Sequence, residues 1–186
     1  MAYGLRMRML LTIPGRRPST CPQDGRAICR YCGVMADHVS ATTEIAAPSE
    51  EVWAMVADLT RMHEWSPESD GTTWLKGATG AVPGAAFKGT NKAGKKKWAT
   101  KGTVIEAEPD RVLSFRVTAF GMKVSLWSYR IEPTANGCAV TESWNDERGA
   151  LIKATGKAAT GVGDRMTHNR AGMEATLRNL KAAAEA

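Results

Sequence analysis

The residue best placed to do chemistry in this 186-residue chain is a glutamate set between apolar neighbours. In "CAVTESWND", Glu142 alternates with Val140 and Trp144, so on a strand it shares their inward face. An unpaired buried carboxylate is costly, so an inward Glu142 needs a cationic or hydrogen-bonding partner, such as Arg116 or Arg130. Such a pair would be structural first, and otherwise would bind a polar ligand group or act as acid and base. His168 is the other candidate acid or base. It is adjacent to Asn169, about 100° away around a helix, so the two cannot face one interior squarely. Asn169 falls on the apolar stripe of the last helix, which places His168 near a rim, in a structural or solvated role.

Sharper signatures fail on inspection. "HEWSP" opens like a zinc-protease helix, but Pro67 stands where the second histidine belongs. "TGKAATG" is no phosphate loop, because Gly156-Lys157 is followed by Ala158 and position 151 is Leu. Neither a nucleophile elbow nor a dinucleotide fingerprint occurs. "CRYC" at Cys29 and Cys32 has zinc-knuckle spacing, and Cys21 with His38 would complete four ligands. No second paired knuckle accompanies it, so no metal is expected. Cys138 lies in a strand-like stretch and reads as a small buried hydrophobe. No cofactor is expected.

The net charge is +6, but its distribution argues against nucleic acid. Residues 1–34 carry Arg6, Arg8, Arg16, Arg17, Arg26 and Arg30 against Asp24, which leaves the rest of the chain near neutral. A nucleic-acid footprint belongs on a face of the folded domain. The basic run in the body, "NKAGKKKW", reads as a solvated hairpin tip. Met9–Ile13 is too short for a secretory core and no run is long enough for a membrane span, so a cytoplasmic protein is expected. We expect residues 1–36 to be a basic, cysteine-containing leader, disordered or upstream of a true start at Met35. Residues 37–186 form the single domain.

The elements of that domain follow from periodicity. Residues 38–46 are β-branched and alternate, hence a strand. Pro48 starts a helix whose Val52, Met55, Val56, Leu59 and Met62 share one arc, with Trp53 on its shoulder. The helix ends near Leu59, and "TRMHEW" makes a short second turn that Pro67 stops. Six strands follow, separated by Gly-, Pro- and Asn-bearing turns, which predicts an antiparallel meander. Leu113, Phe115 and Val117 share one face of it, as do Trp127, Tyr129 and Ile131. The closing helix repeats Val162, Met166, Asn169, Met173, Leu177, Leu180 and Ala184 at three- and four-residue steps. "TGKAATGVGD" before it is too glycine-rich for continuous helix, so a break is expected there, with Asp164 as cap.

This α+β order, β-α-α-β6-α, together with "EIAAPSEEVWAMVADLTRMHEW", "VIEAEPDRVLSFRV", "LWSYRIEP" and "GCAVTESW", resembles the START-like, or SRPBCC, superfamily of polyketide cyclases/dehydrases and lipid carriers. The ending "TGVGDRMTHNRAGMEATLRNLKAAAE" is similar to its actinobacterial members. The resemblance implies a helix-grip fold, in which a curved antiparallel sheet wraps a long C-terminal helix around an apolar cavity. It implies a lining of Trp98, Phe115, Trp127, Tyr129, Trp144, Met166, Asn169 and Met173, with Met62 and Trp65 beside the entrance. The expected function is binding of a small hydrophobic molecule: a lipid, a fatty acid or a polyketide-like compound. The alternative is a polyketide cyclase or dehydratase using the same cavity, with Glu142 and His168 as acid and base. A carrier is favoured over an enzyme, because no unmistakable acid–base pair is present. The expected partner is that ligand alone, with no nucleic acid and no stable membrane insertion, and the protein a monomer or homodimer.

Overall fold

The structure is a computed structural model and describes residues 37–186. The expectations for the leader, and for Cys21, Cys29 and Cys32, lie outside the described residues.

Strand β1 (His38–Ile45) leads through Pro48 into helix α1 (Ser49–Ala57). Pro48 sits at the N-cap with φ of −58°, and its carbonyl accepts from Val52 N–H at 3.2 Å. Glu50 and Glu51 in the first turn meet the positive end of the helix dipole. Val52 and Val56, one turn apart, are wholly buried. The continuation is a 3₁₀ helix, Leu59–Glu64, capped by Asp58, whose carboxylate accepts from Thr60 N–H at 3.1 Å.

Six strands then run in sequence: β2 (Ser69–Trp74), β3 (Ala86–Ala93), β4 (Lys96–Glu108), β5 (Val112–Ala119), β6 (Met122–Thr134) and β7 (Gly137–Asp146). All pair antiparallel in one sheet of order β1-β7-β6-β5-β4-β3-β2, so the meander carries β1 along its last strand. Register shifts between Ser69 and Gly71, Val104 and Glu106, and Val117 and Thr118 bend it, as bulges do. The β5–β6 turn places Phe120 and Gly121 at φ of 51° and 77°, the left-handed pair of a type I′ two-residue hairpin. The "NKAGKKKW" run forms the β3–β4 hairpin, where Lys92 and Lys97 both pair with Asp70.

The expected break near the C-terminus exists, but a helix precedes it. Helix α2 (Ala150–Thr160) ends at left-handed Gly161, whose N–H reaches Lys157 O at 2.8 Å. Helix α3 (Arg165–Ala184) then starts at Asp164, which accepts from Thr167 N–H at 3.1 Å. Val162, expected on the helical stripe, lies in the connection between them. Alanines and Ile152 make "ALIKATGKAAT" a competent helix despite Gly156, since one interior glycine costs only about 1 kcal/mol.

Val52, Val56, Ile45, Ile131, Val140, Leu177 and Leu180 belong to one core cluster that joins α1, the sheet and the second half of α3. The end of α3 is tied to β1 by Lys181 Nζ donating to Glu44 O at 2.7 Å. Glu185 accepts from Ala46 N–H at the same distance. The first half of α3 faces a different environment.

Candidate functional site

A cavity of about 820 Å³ opens where the sheet curves away from the first half of α3. Strands β2–β7, the 3₁₀ helix, α2 and α3 all contribute to its wall. The sheet supplies aromatic rings: Phe87 from β3, Trp98 from β4, Phe115 from β5, Trp127 and Tyr129 from β6, and Trp144 from β7. Strand parity turns Trp127 and Tyr129 of β6 to one side, as it does Phe115 and Val117 of β5 and Glu142 and Trp144 of β7. Phe87 and Phe115 meet edge to face, ring centres 5.5 Å apart at 77°. The Phe87 ring lies directly over Gly102, its register partner on β4, where any Cβ would fall 2.0 Å from Cζ.

One carboxyl group stands in this wall. Glu142 is 3% exposed and lies opposite Tyr129 in the β6–β7 register. The Tyr129 hydroxyl donates to Glu142 Oε1 at 2.8 Å, and Met62 Sδ is 3.7 Å from the same hydroxyl. Glu142 Oε2 is buried with no hydrogen-bond partner among the described residues. Burial pushes the carboxyl up to about 7, with the hydrogen bond from Tyr129 pulling the other way. Burial, and then the neighbouring carboxylate, hold the Tyr129 phenol well above its ordinary value. The arginines expected beside Glu142 are elsewhere. Arg116 donates to Glu147 at 2.8 and 3.1 Å, and Arg130 is exposed. Both follow an inward residue on their strand (Phe115 and Tyr129), so strand alternation turns them to the outer face.

The rim is polar. Glu68, just before β2, accepts from Arg165 Nη1 at 2.8 Å and lies 2.7 Å from His168 Nε2. The Arg165 guanidinium lies 5.6 Å from the centre of the Trp98 ring, a cation–π contact. His168 is therefore at the rim, as its helical position predicts, and is far better placed to fix the start of α3 than to meet Glu142. Deeper in the wall, buried Ser125 accepts from Trp127 Nε1 at 3.1 Å, which sets the orientation of that indole. Asn169, on the apolar stripe, is 3% exposed.

The model of the family described as polyketide cyclase / dehydrase and lipid transport matches residues 36–185. The chain belongs to that family. Among solved structures, a polyketide-cyclase-like protein from Corynebacterium glutamicum is 29% identical. That match covers 81% of this chain and 90% of that one, with a TM-score of 0.52. A major latex-like protein from Panax ginseng shares the fold at 13% identity and a TM-score of 0.62, over 80% of this chain and 97% of that one. A di-domain ARO/CYC from the steffimycin biosynthetic pathway does so at 14% and 0.61, over 81% of this chain and 51% of that one. No curated protein matches the chain. The helix-grip architecture expected from the sequence is thus the fold of this polyketide cyclase/dehydrase family member.

Most residues anticipated for its wall are there: Met62, Trp98, Phe115, Trp127, Tyr129, Trp144, Asn169 and Met173 line the cavity, together with Glu142 and His168. Two are not. Trp65 is 1% exposed and packs into the core cluster instead, with its carbonyl accepting from Asn179 Nδ2 at 2.9 Å. Trp65 is the C-cap that follows the 3₁₀ helix, whereas Met62, which belongs to the same core cluster, also borders the cavity beside the Tyr129 hydroxyl. Met166 is 39% exposed, because the first turn of α3 stands at the rim, where Arg165 and His168 reach towards Glu68.

Helix α2 is the part of the family member's wall that sequence reasoning missed. Ile152, Thr155, Gly156, Ala159 and Thr160 from α2 line the cavity, although no residue of that helix is fully buried. Their spacing of three and four residues was the available signal. Phe120, 95% exposed on the β5–β6 turn, also reaches the cavity. Among the described residues, no cluster of three or more His, Cys, Asp or Glu side chains is arranged to hold a metal, and no helix is long and apolar enough to cross a membrane.

Proposed function

We propose that the protein binds a small hydrophobic molecule, a lipid or a polyketide-like aromatic compound, in the cavity between the sheet and α3. The observation that carries this reading is the cavity itself: about 820 Å³, walled by seven aromatic side chains, six of them from the strands, and a single buried carboxyl. Ligand cavities of this size class are mostly apolar with a few placed polar groups. Each 100 Å² of apolar ligand surface withdrawn from water contributes about 2.5 kcal/mol before the costs of association.

A second reading, a cyclase or dehydratase using the same cavity, is favoured by one feature. Glu142 combines deep burial with an acidity moved to about 7, which suits a general acid or base. The description of the family spans both readings. Native mass spectrometry of protein purified from its own host tests the first: an apolar molecule is expected to co-purify. A protein that carries none and takes up no apolar fluorophore would sink both readings. Turnover of a polyketide-type substrate that is lost in Glu142→Gln, with binding retained, would favour the enzyme.

A further inference from the structure

Glu142 carries a geometric asymmetry that the binding reading leaves unused. Its Oε1 is capped by the Tyr129 hydroxyl at 2.8 Å, while its Oε2 is buried, unpartnered and part of a residue that lines the cavity. A neutral carboxyl group whose first oxygen already accepts carries its proton on the second. The group then shows the cavity an O–H donor. We infer that the bound molecule is uncharged and presents a carbonyl oxygen, of the ketone, ester or quinone type, which accepts a hydrogen bond from Glu142 Oε2. This inference rests on the cavity being a ligand site and narrows the chemistry of what occupies it.

Charge in the wall points the same way. The cationic residues that line the cavity are each bound to a carboxylate: Lys92 to Asp70 at 3.1 Å, Arg148 to Asp146 at 2.8 Å and Arg165 to Glu68 at 2.8 Å. None is left to receive an anionic head group, and an ionised Glu142 would repel one. The groups packed around Glu142 are few and mostly neutral. Tyr129 faces it from β6, Ala41 lies opposite on β1, the 3₁₀ helix brings Met62 and α3 brings Asn169 and Met173 to the same cavity. His168 and Glu68, the remaining titratable lining residues, are bound to each other at the rim. Glu142 is thus free to be the neutral donor, and its acidity near 7 puts the donor form within the physiological range.

A matched pair of probes tests this: 2-acetylnaphthalene, and 2-isopropenylnaphthalene, in which CH₂ replaces the carbonyl oxygen. Titration calorimetry at pH 5.5 is expected to show the ketone bound about tenfold more tightly than the alkene, the effect of one well-made hydrogen bond in a dry site. The preference should fade as pH rises through about 7, as the Oε2 proton is lost. In Glu142→Gln the amide keeps a donor towards the cavity, so the preference persists and loses its pH dependence. In Glu142→Leu it disappears while the alkene still binds. The carbonyl stretch of the bound ketone should move to lower frequency in wild type and not in the Leu variant. Equal binding of the two probes by wild type, or a stronger preference at high pH, overturns the inference and leaves the cavity reading standing. Tighter binding of the cationic 1-(2-naphthyl)ethylamine, rising with pH, overturns it in favour of an ion pair. If wild type binds none of the probes, the cavity reading fails with it.

Discussion

Tyr129 and Glu142 sit directly opposite each other on β6 and β7, and the phenol donates to the carboxyl at 2.8 Å inside the protein. No cation compensates the carboxylate there, so protonation and stability are linked. The carboxyl titrates near 4.5 in an unfolded chain and near 7 in the fold. The folded state therefore holds the proton more tightly, and the stability this contributes is complete below about pH 4.5 and lost as pH rises through about 7. Denaturant unfolding between pH 4.5 and 8 is expected to show wild type losing on the order of 3 kcal/mol relative to Glu142→Gln, whose profile should be flatter. A wild-type profile parallel to that of the Gln variant would count against a titrating Glu142.

Removing the phenol isolates the other half of the pair. Tyr129→Phe deletes the one hydrogen bond that favours the carboxylate, so Glu142 should titrate at a still higher pH. The variant should lose about 1–3 kcal/mol above pH 7, the usual cost of stranding a buried polar partner, and less at pH 5. Carbon-detected NMR titration of the Glu142 carboxyl reads the shift directly.

Gly102 makes room for an aromatic wall residue. A methyl group at this position would overlap the Phe87 ring, so Gly102→Ala must push that ring out of its place. The expected cost is about 1–3 kcal/mol, with weaker uptake of apolar probes as the ring enters the cavity. Pairing it with Phe87→Leu should recover part of the stability, and thermal unfolding of the single and double variants measures the coupling.

The rim makes the opposite prediction. His168→Ala removes a partly exposed contact to Glu68, leaving Arg165 bound, and should cost less than about 1 kcal/mol. Apolar probe affinity should change by no more than a few fold. Loss of binding by orders of magnitude in fluorescence titration would show that His168 reaches the ligand.

Much of the frame is legible in local pattern. Alternation assigns Trp127, Tyr129 and Ile131 to one face. Pro48 and Asp164 mark helix starts, and the turn residues separate the strands. These are short-range effects of backbone geometry, capping and the pleat, so a single sequence carries them. Glu142 as an inward carboxyl belongs to the same class, because parity with Val140 and Trp144 is enough to orient it.

What surrounds those residues is a different matter. The partner of Glu142 is Tyr129 rather than an arginine, because the pairing register of β6 and β7, set along the whole hairpin, decides which side chains lie opposite. Trp65 and Met62 both join the core cluster but only Met62 also borders the cavity, because that depends on the neighbours that the sheet and α3 bring to each side chain. Met166 matches the stripe of α3 yet stands exposed, because periodicity says which way a side chain points and not whether a wall lies opposite. Helix α2 lines the cavity although no residue in it is fully buried, and only its position across the mouth turns Ile152 and Ala159 into wall. The sequence by itself determined most of the elements and their faces, α2 excepted, through interactions a few residues long. Only the tertiary structure decided which faces meet, which leave a space, and which buried oxygen is left without a partner, because those depend on contacts between residues far apart in the chain.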